Sequence, residues 1–256
     1  FWRARDQLGD EALQDTARSF GLDQETGIPL SSEQDGRIPT PERRQQQFDA
    51  NPGVFSERDW FTGDNVNMSI GQGDVAVTPV QLANAYATFA NGGTRFAPNI
   101  ASKVTRPDNP EATVRTFGPR IASTAELRPE YRQPLLDGLV GVTSTDGGTA
   151  AGVFAGFPNA TFPVAGKTGT AQVNGKADTA LFTAFGPVQD PRYVVTVVLE
   201  ESGFGGVAAA PVARKLFDVF AGASPTPELQ PGGQLELPDA DGQPTQDDLA
   251  RVGGSD

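Results

Sequence analysis

A chain of 256 residues has room for one large domain or two small ones with a sizeable core, and its 37% hydrophobic and 20% charged residues are ordinary for a globular protein. A net charge of −12 argues against nucleic acid as a partner, since phosphate contacts need clustered Lys and Arg. With no His a Ser-His-Asp triad is excluded, and with no Cys either so are the usual zinc sites and any disulfide framework.

Phe1 opens the chain in place of Met, and "FWRARDQLGD" reads as the inside of a longer polypeptide, so the expectation is a fragment whose targeting or membrane segment lies upstream. Asp10 is placed to cap a short helix through Phe20, with Leu13, Ala17 and Phe20 on one face and Gly21 as the stop. Residues 21–66 are turn-rich and read as surface loops. "VTPVQLANAYATFANGG" carries the clearest helix signal. Thr78 is the N-cap, Pro79 takes the first helical position, and Gln81 completes a capping box. Val80, Ala83, Ala87 and Ala90 form a small-residue face, and Asn91-Gly92-Gly93 ends the helix.

Residues 94–123 read as extended pieces and turns. Residues 124–143 suggest a helix carrying Leu135, Leu136, Leu139 and Val140, with Pro134 as a bend, before the Gly-rich turn "TDGGTAAG". Three β-rich runs follow, "TFPVAGKTGTAQV", "TALFTAFGPV" and "RYVVTVVLEE", joined by the turns "NGKAD" and "QDPR", so residues 161–201 predict an antiparallel meander. "AAPVARKLFDVFAG" closes the fold as a helix, with Val212, Leu216 and Phe220 on one face. Residues 223–256 hold seven acids and one base among many Pro and Gly, and are expected to be disordered.

Gly166-Lys167-Thr168 invites two readings. A phosphate loop needs a leading Gly where Thr161 stands, and it must open a helix, whereas a hairpin follows here. The alternative is Lys167-Thr168-Gly169 on an edge strand beside an active site. Alternation then puts Thr168 and Thr170 on one face with Gln172 in line, and Lys167 on the other with Gly169 and Ala171. Two hydroxyls two residues apart can grip a carboxylate, with the Lys behind them adding positive charge. An edge strand also offers free N–H and C=O groups to an extended peptide, and Gly169 lets a substrate or another backbone approach.

On these residues, together with "SFGLDQETGIPL", "GRIPTPE", "DNVNMSIGQGDVAVTPVQLANAYATFANGG" and "GGTA", the chain resembles the class B penicillin-binding proteins, from about residue 8 to residue 221. The resemblance implies an α/β (α+β) serine transpeptidase fold, an antiparallel sheet flanked by helices, here incomplete on its N-terminal side. Residues 1–222 would be the C-terminal part of the transpeptidase domain, with 1–160 mainly helix and loop, 161–222 meander plus closing helix, and 223–256 a tail. It implies a peptidoglycan D,D-transpeptidase working through a serine acyl-enzyme. Lys167, Thr168 and Gly169 would form the third catalytic motif, Thr168 and Thr170 would bind the carboxylate, the Thr170 N–H would be half of an oxyanion hole, and Gln172 would lie near the cleft. No cofactor or metal is implied. Implied partners are the D-Ala-D-Ala stem peptide, an acceptor strand, β-lactams and cell-wall synthesis membrane proteins, at the extracytoplasmic face of a bacterial membrane. The alternative within the fold is a non-catalytic β-lactam sensor or cell-wall scaffold.

The other two motifs are expected upstream. Three residues before Lys103, Lys167, Lys176 and Lys215 stand Ile100, Val164, Val173 and Val212, so no Ser-x-x-Lys exists in this chain. Ser144-Thr145-Asp146 is the one Ser-x-Asp; it lies in a Gly-rich stretch just before the third motif, and Ser144 reads as a turn residue. Ser69 and the Glu200-Glu201 pair read as structural. A chain lacking its upstream strands and nucleophile helix is expected to be unstable alone.

Overall fold

The computed structural model describes residues 11–222 other than 52, 55 and 56. The proposed Asp10 cap and the tail 223–256 lie outside the described residues. The elements run in the order α1 Ala12–Ser19, α2 Pro41–Ala50, α3 Thr62–Ser69, α4 Pro79–Ala90, β1 Thr94–Ala97, β2 Lys103–Arg106, β3 Asn109–Thr116, β4 Arg120–Thr124, α5 Pro129–Ser144, β5 Ala165–Ala171, β6 Thr179–Gly186, β7 Tyr193–Leu199 and α6 Ala209–Phe220.

The central feature is the sheet β5-β6-β7, antiparallel throughout, with β5 at its edge. The register sets Ala165, Lys167 and Gly169 in rows with Phe185, Thr183 and Leu181, and Gly166, Thr168 and Thr170 in rows with Ala184, Phe182 and Ala180. One core packs Ala180, Phe182, Ala184, Val195 and Val197 against Ala210, Ala213 and Phe217 of α6 and Phe154 of the preceding loop. The other packs Ala165 and Phe185 against Phe89 and Ala90 of α4 and Leu136 of α5. The sheet is thus sandwiched between helices. Phe154, Phe182, Phe185 and Phe217 are fully buried, each contributing roughly 1.5–3 kcal/mol by removing apolar surface from water. β1 pairs with β4 and β2 with β3 as two small antiparallel pairs, matching the extended reading of residues 94–123.

The capping box of α4 is present in both directions. Thr78 Oγ1 accepts from the Gln81 N–H at 3.2 Å, and Gln81 Oε1 accepts from the Thr78 N–H at 2.9 Å. Gln81 is fully buried, and its Nε2 also donates to the carbonyls of Gln24 and Asp35, so the cap stitches the loop at 24–35 to the helix. Thr78→Ala is therefore expected to cost about 1 kcal/mol, read as a lowered midpoint in urea unfolding with an unchanged slope. In the same loop region Asp23 accepts from Arg43, Arg18 and the Ile38 N–H. Burial pushes its carboxyl up, but those donors outweigh it and hold it below the usual carboxylate range.

Two expectations, loops throughout 21–66 and Ser144 in a turn, need correction, and packing decides which helix faces are buried. Residues 21–66 are not all loop: α2 lies within them and α3 begins there, α2 capped by Thr40, whose side chain accepts from the Arg43 N–H at 3.1 Å. Neither helix has a buried residue, so neither shows the apolar period by which helices are read. In α6 the packed face is Ala209, Ala210, Ala213 and Phe217, while Val212 and Leu216 are exposed, because the alanines let the helix lie close on the sheet. Phe220 sits between these faces, stacked on Tyr193 with ring centroids 4.1 Å apart. In α4 the Val80, Ala83 and Ala87 face is only half-buried and lines an open cavity of about 490 Å³ with Phe96, Pro98 and Val194; Gln81, Asn84, Thr88, Phe89 and Ala90 are its buried residues. In α5, Leu136 is buried but Leu135 is exposed, and Ser144 is the last helical residue, bonded to the Val140 carbonyl at 2.8 Å, not a turn residue. Pro134 is accommodated within that helix.

Candidate functional site

β5 holds the whole Lys167-Thr168-Gly169 triplet and Thr170, in extended backbone paired residue for residue with β6. No helix follows, so the phosphate-loop reading of Gly166-Lys167-Thr168 fails on geometry. Gly166 has a packing reason. A Cβ there would lie 2.7 Å from the Ala184 Cβ and 3.0 Å from the Phe182 ring, so a side chain would displace the core beneath the strand.

The start of β5 is fixed from α5. Thr143 is buried, and its hydroxyl donates to the Val164 carbonyl at 2.6 Å. The turn after α5 folds back on the helix, the Ala150 N–H reaching the Val142 carbonyl at 3.0 Å. That return places Thr149 beside the strand, with its Oγ1 2.8 Å from Thr168 Oγ1. Thr168 and Thr170 share the face of the sheet that looks toward the Thr149 turn and the Gly205-Gly206 segment. Lys167 is on the other face, in the row of Thr183. The Lys167 side chain is exposed and curls over the strand edge, Nζ donating to the Thr168 carbonyl at 2.8 Å. Among the described residues it makes no ion pair. Gln172 follows directly after β5 and is exposed.

Three residues beyond the sequence-predicted set converge here. Thr149 reaches Thr168. Gln72, from the loop after α3, donates through Nε2 to the Thr170 carbonyl at 3.2 Å, across 98 residues of chain. Gly205 presses on the β5–β6 ladder, where a Cβ would lie 2.1 Å from the Leu181 oxygen and 2.3 Å from the Gly169 oxygen. Thr149 and Gln72 fall inside "GGTA" and "IGQGD", stretches noted for their likeness but without an assigned contact. Ser69 ends α3 bonded to the Val66 carbonyl, and Glu201 makes an exposed ion pair with Lys176 at 3.5 Å; neither pairing reaches β5.

The arrangement offers a strand edge with an ammonium, two hydroxyls on one face and outward carbonyls held only by side-chain donors, a surface suited to an anionic, extended ligand.

Comparison with known proteins agrees with this geometry. Residues 1–218 match the family described as the penicillin binding protein transpeptidase domain. The chain is 32% identical over 240 residues to the peptidoglycan D,D-transpeptidase MrdA of Haemophilus influenzae, covering 86% of this chain and 34% of that protein. It is similar to the structure of Pseudomonas aeruginosa PBP2 solved in complex with WCK 5153, with a TM-score of 0.68 at 28% identity over 92% of this chain and 48% of that one. It is also similar to PBP2 in its complex with MreC from Helicobacter pylori, with a TM-score of 0.62 at 26% identity over 83% and 36% of the respective chains. The chain spans about a third of the length of the curated relatives it matches. The edge strand with its Lys-Thr-Gly, the helices on both faces of the sheet and the match over residues 1–218 lead to one conclusion: the chain belongs to the penicillin-binding protein transpeptidase domain family.

Proposed function

We propose that this chain is the C-terminal portion of a serine D,D-transpeptidase that cross-links peptidoglycan. The observation that carries the reading is Lys167-Thr168-Gly169-Thr170 on β5, the edge strand of the antiparallel sheet among the described residues, in a chain matched to the family over residues 1–218. A serine supplied by the upstream part of the protein attacks the carbonyl carbon of the D-Ala-D-Ala peptide bond. The C–N bond breaks and the terminal D-Ala leaves with the serine's proton; an amine of a neighbouring strand then attacks the serine ester, the Oγ–C bond breaks, and the amine's proton returns to regenerate the serine.

This chain's own residues bind and orient. The Thr168 and Thr170 hydroxyls hold the substrate or β-lactam carboxylate, and Lys167 adds the positive charge at the same edge. The Thr170 N–H donates to the oxyanion that develops on the attacked carbonyl. Gly169 leaves the strand open to the substrate, and Gln172 lines the exit of the cleft. Thr149, bonded to the Thr168 hydroxyl, sets the direction of that hydroxyl's remaining hydrogen bond.

The described helices include none long and apolar enough to cross a membrane. The working position proposed for the full protein is the extracytoplasmic face of a bacterial membrane, anchored by an upstream segment. The likeness to a PBP2 structure solved with MreC supports a partner of the cell-wall synthesis machinery.

The test is covalent labelling. A fluorescent penicillin should label the full-length protein in a band that survives denaturation, and this chain alone should not label, because it has no Ser-x-x-Lys. A full-length protein with its upstream motifs present that never labels would sink the transpeptidase reading.

A further inference from the structure

We propose that Gln72 guards the free edge of β5, holding the Thr170 carbonyl until an extended peptide takes its place. The inference rests on the transpeptidase reading and adds to it a residue that sets binding strength and selectivity for ligands with a donor opposite Thr170.

Residues two apart on an antiparallel strand present their backbone groups to the same side. Gly169 faces β6: the oxygens of Gly169 and Leu181 lie together under Gly205, as expected of a bonded pair. Thr168 and Thr170 therefore face the open side of β5, where a further strand would add. Both of their carbonyls are already occupied by side chains, Thr168 O by Lys167 Nζ at 2.8 Å and Thr170 O by Gln72 Nε2 at 3.2 Å. An exposed strand edge with unfilled acceptors pairs indiscriminately with other chains, and these two donors prevent that.

The Gln72 donor comes from a built loop. Gly71 and Gly73 flank it at φ +76° and +74°, conformations that favour glycine, so the chain reverses tightly on each side of the one projecting amide. The Gln72 N–H returns to the Asn67 carbonyl at 2.9 Å and Gly71 N–H to that of Met68 at 3.0 Å. On the far side, Asp74 is held by Arg37 Nε on its carbonyl and Arg44 Nη2 on its carboxylate, each at 2.8 Å. The loop stays put while the side chain exchanges. The bond to Thr170 is at the long end of the N–H···O range, and a peptide N–H arriving in the strand direction replaces it with one of better geometry.

Removing the guard should tighten binding. In the full-length protein, Gln72→Ala is expected to lower KM for an acylated D-Ala-D-Ala tripeptide by about two- to tenfold, the effect of no longer displacing one ordinary hydrogen bond, with the change in KM and not in kcat. Gln72→Met keeps the side-chain volume and lacks the donor, so it should shift KM the same way even if truncation to Ala disturbs the loop. KM unchanged or raised in both variants, in a protein whose wild type labels with fluorescent penicillin, overturns the guard and leaves the transpeptidase reading standing. A wild type that neither labels nor binds the tripeptide overturns both.

Discussion

Changing Lys167 to Ala in the full-length protein should slow acylation by a fluorescent penicillin by about a hundredfold or more, with almost no change in thermal stability. The two halves of this result have separate causes. Lys167 is exposed, and its only bond among the described residues is to the Thr168 carbonyl, so its loss from the fold is a surface change within roughly 0.5 kcal/mol. For the proposed catalysis it is the cation that β5 itself supplies. On the proposed reading a β-lactam or stem-peptide carboxylate rests on Thr168 and Thr170 with that ammonium at the same edge, and a preorganised charge aimed at the transition state is worth several kcal/mol. Lys167→Arg should recover part of the rate, since the charge remains while the planar fork fits the edge differently. Second-order acylation rates and melting curves on the three proteins decide it. Equal rates for wild type and Lys167→Ala would remove Lys167 from the machinery.

What could be read from the sequence was local. The α4 cap was legible because Thr78, Pro79 and Gln81 are neighbours in the chain and act on one another. The meander was legible because strand period and tight turns recur within 40 residues, and because Asn174-Gly175 and the stretch around Pro191 mark where the chain reverses. The α2 helix left its own sign, Thr40 before Pro41, but "PERRQQQFDA" has no apolar stripe, so periodicity had nothing to find. For α6 the sequence carried two stripes, Val212–Leu216 and Ala213–Phe217, and only the sheet decides which is buried. The same divide runs through the site. Lys167, Thr168, Gly169 and Thr170 are contiguous, so their alternation on β5 follows from strand geometry alone. Thr149, Gln72 and Gly205 arrive from a turn, a loop and a helix lead-in, and only the tertiary fold brings them to β5.

Gly205 is the most exacting of these positions, and Gly205→Ala should destabilise the domain by about 1–3 kcal/mol while also impairing acylation. The added Cβ would meet the Leu181 oxygen at 2.1 Å and the Gly169 oxygen at 2.3 Å, both backbone atoms of the β5–β6 ladder. No rotamer relieves such a contact. Gly205 cannot simply retreat either, because its carbonyl accepts from the N–H groups of Ala209 and Ala210 and so sets the first turn of α6, whose Ala210, Ala213 and Phe217 are locked in the core. The strain falls on the ladder, at Gly169, between the two threonines that face the open edge. The loss of acylation should therefore exceed what the fraction unfolded explains. Gly138 in α5 gives the contrast. A Cβ there meets nothing within 4 Å, and Gly138→Ala should stabilise by roughly 0.5–1 kcal/mol, since glycine is the poorer helix former. For a domain of this size 1 kcal/mol moves Tm by about 2–4 °C, so the two substitutions should shift Tm in opposite directions. If Gly205→Ala instead melts with the wild type and acylates at its rate, the Gly205 segment does not hold the β5 edge in place.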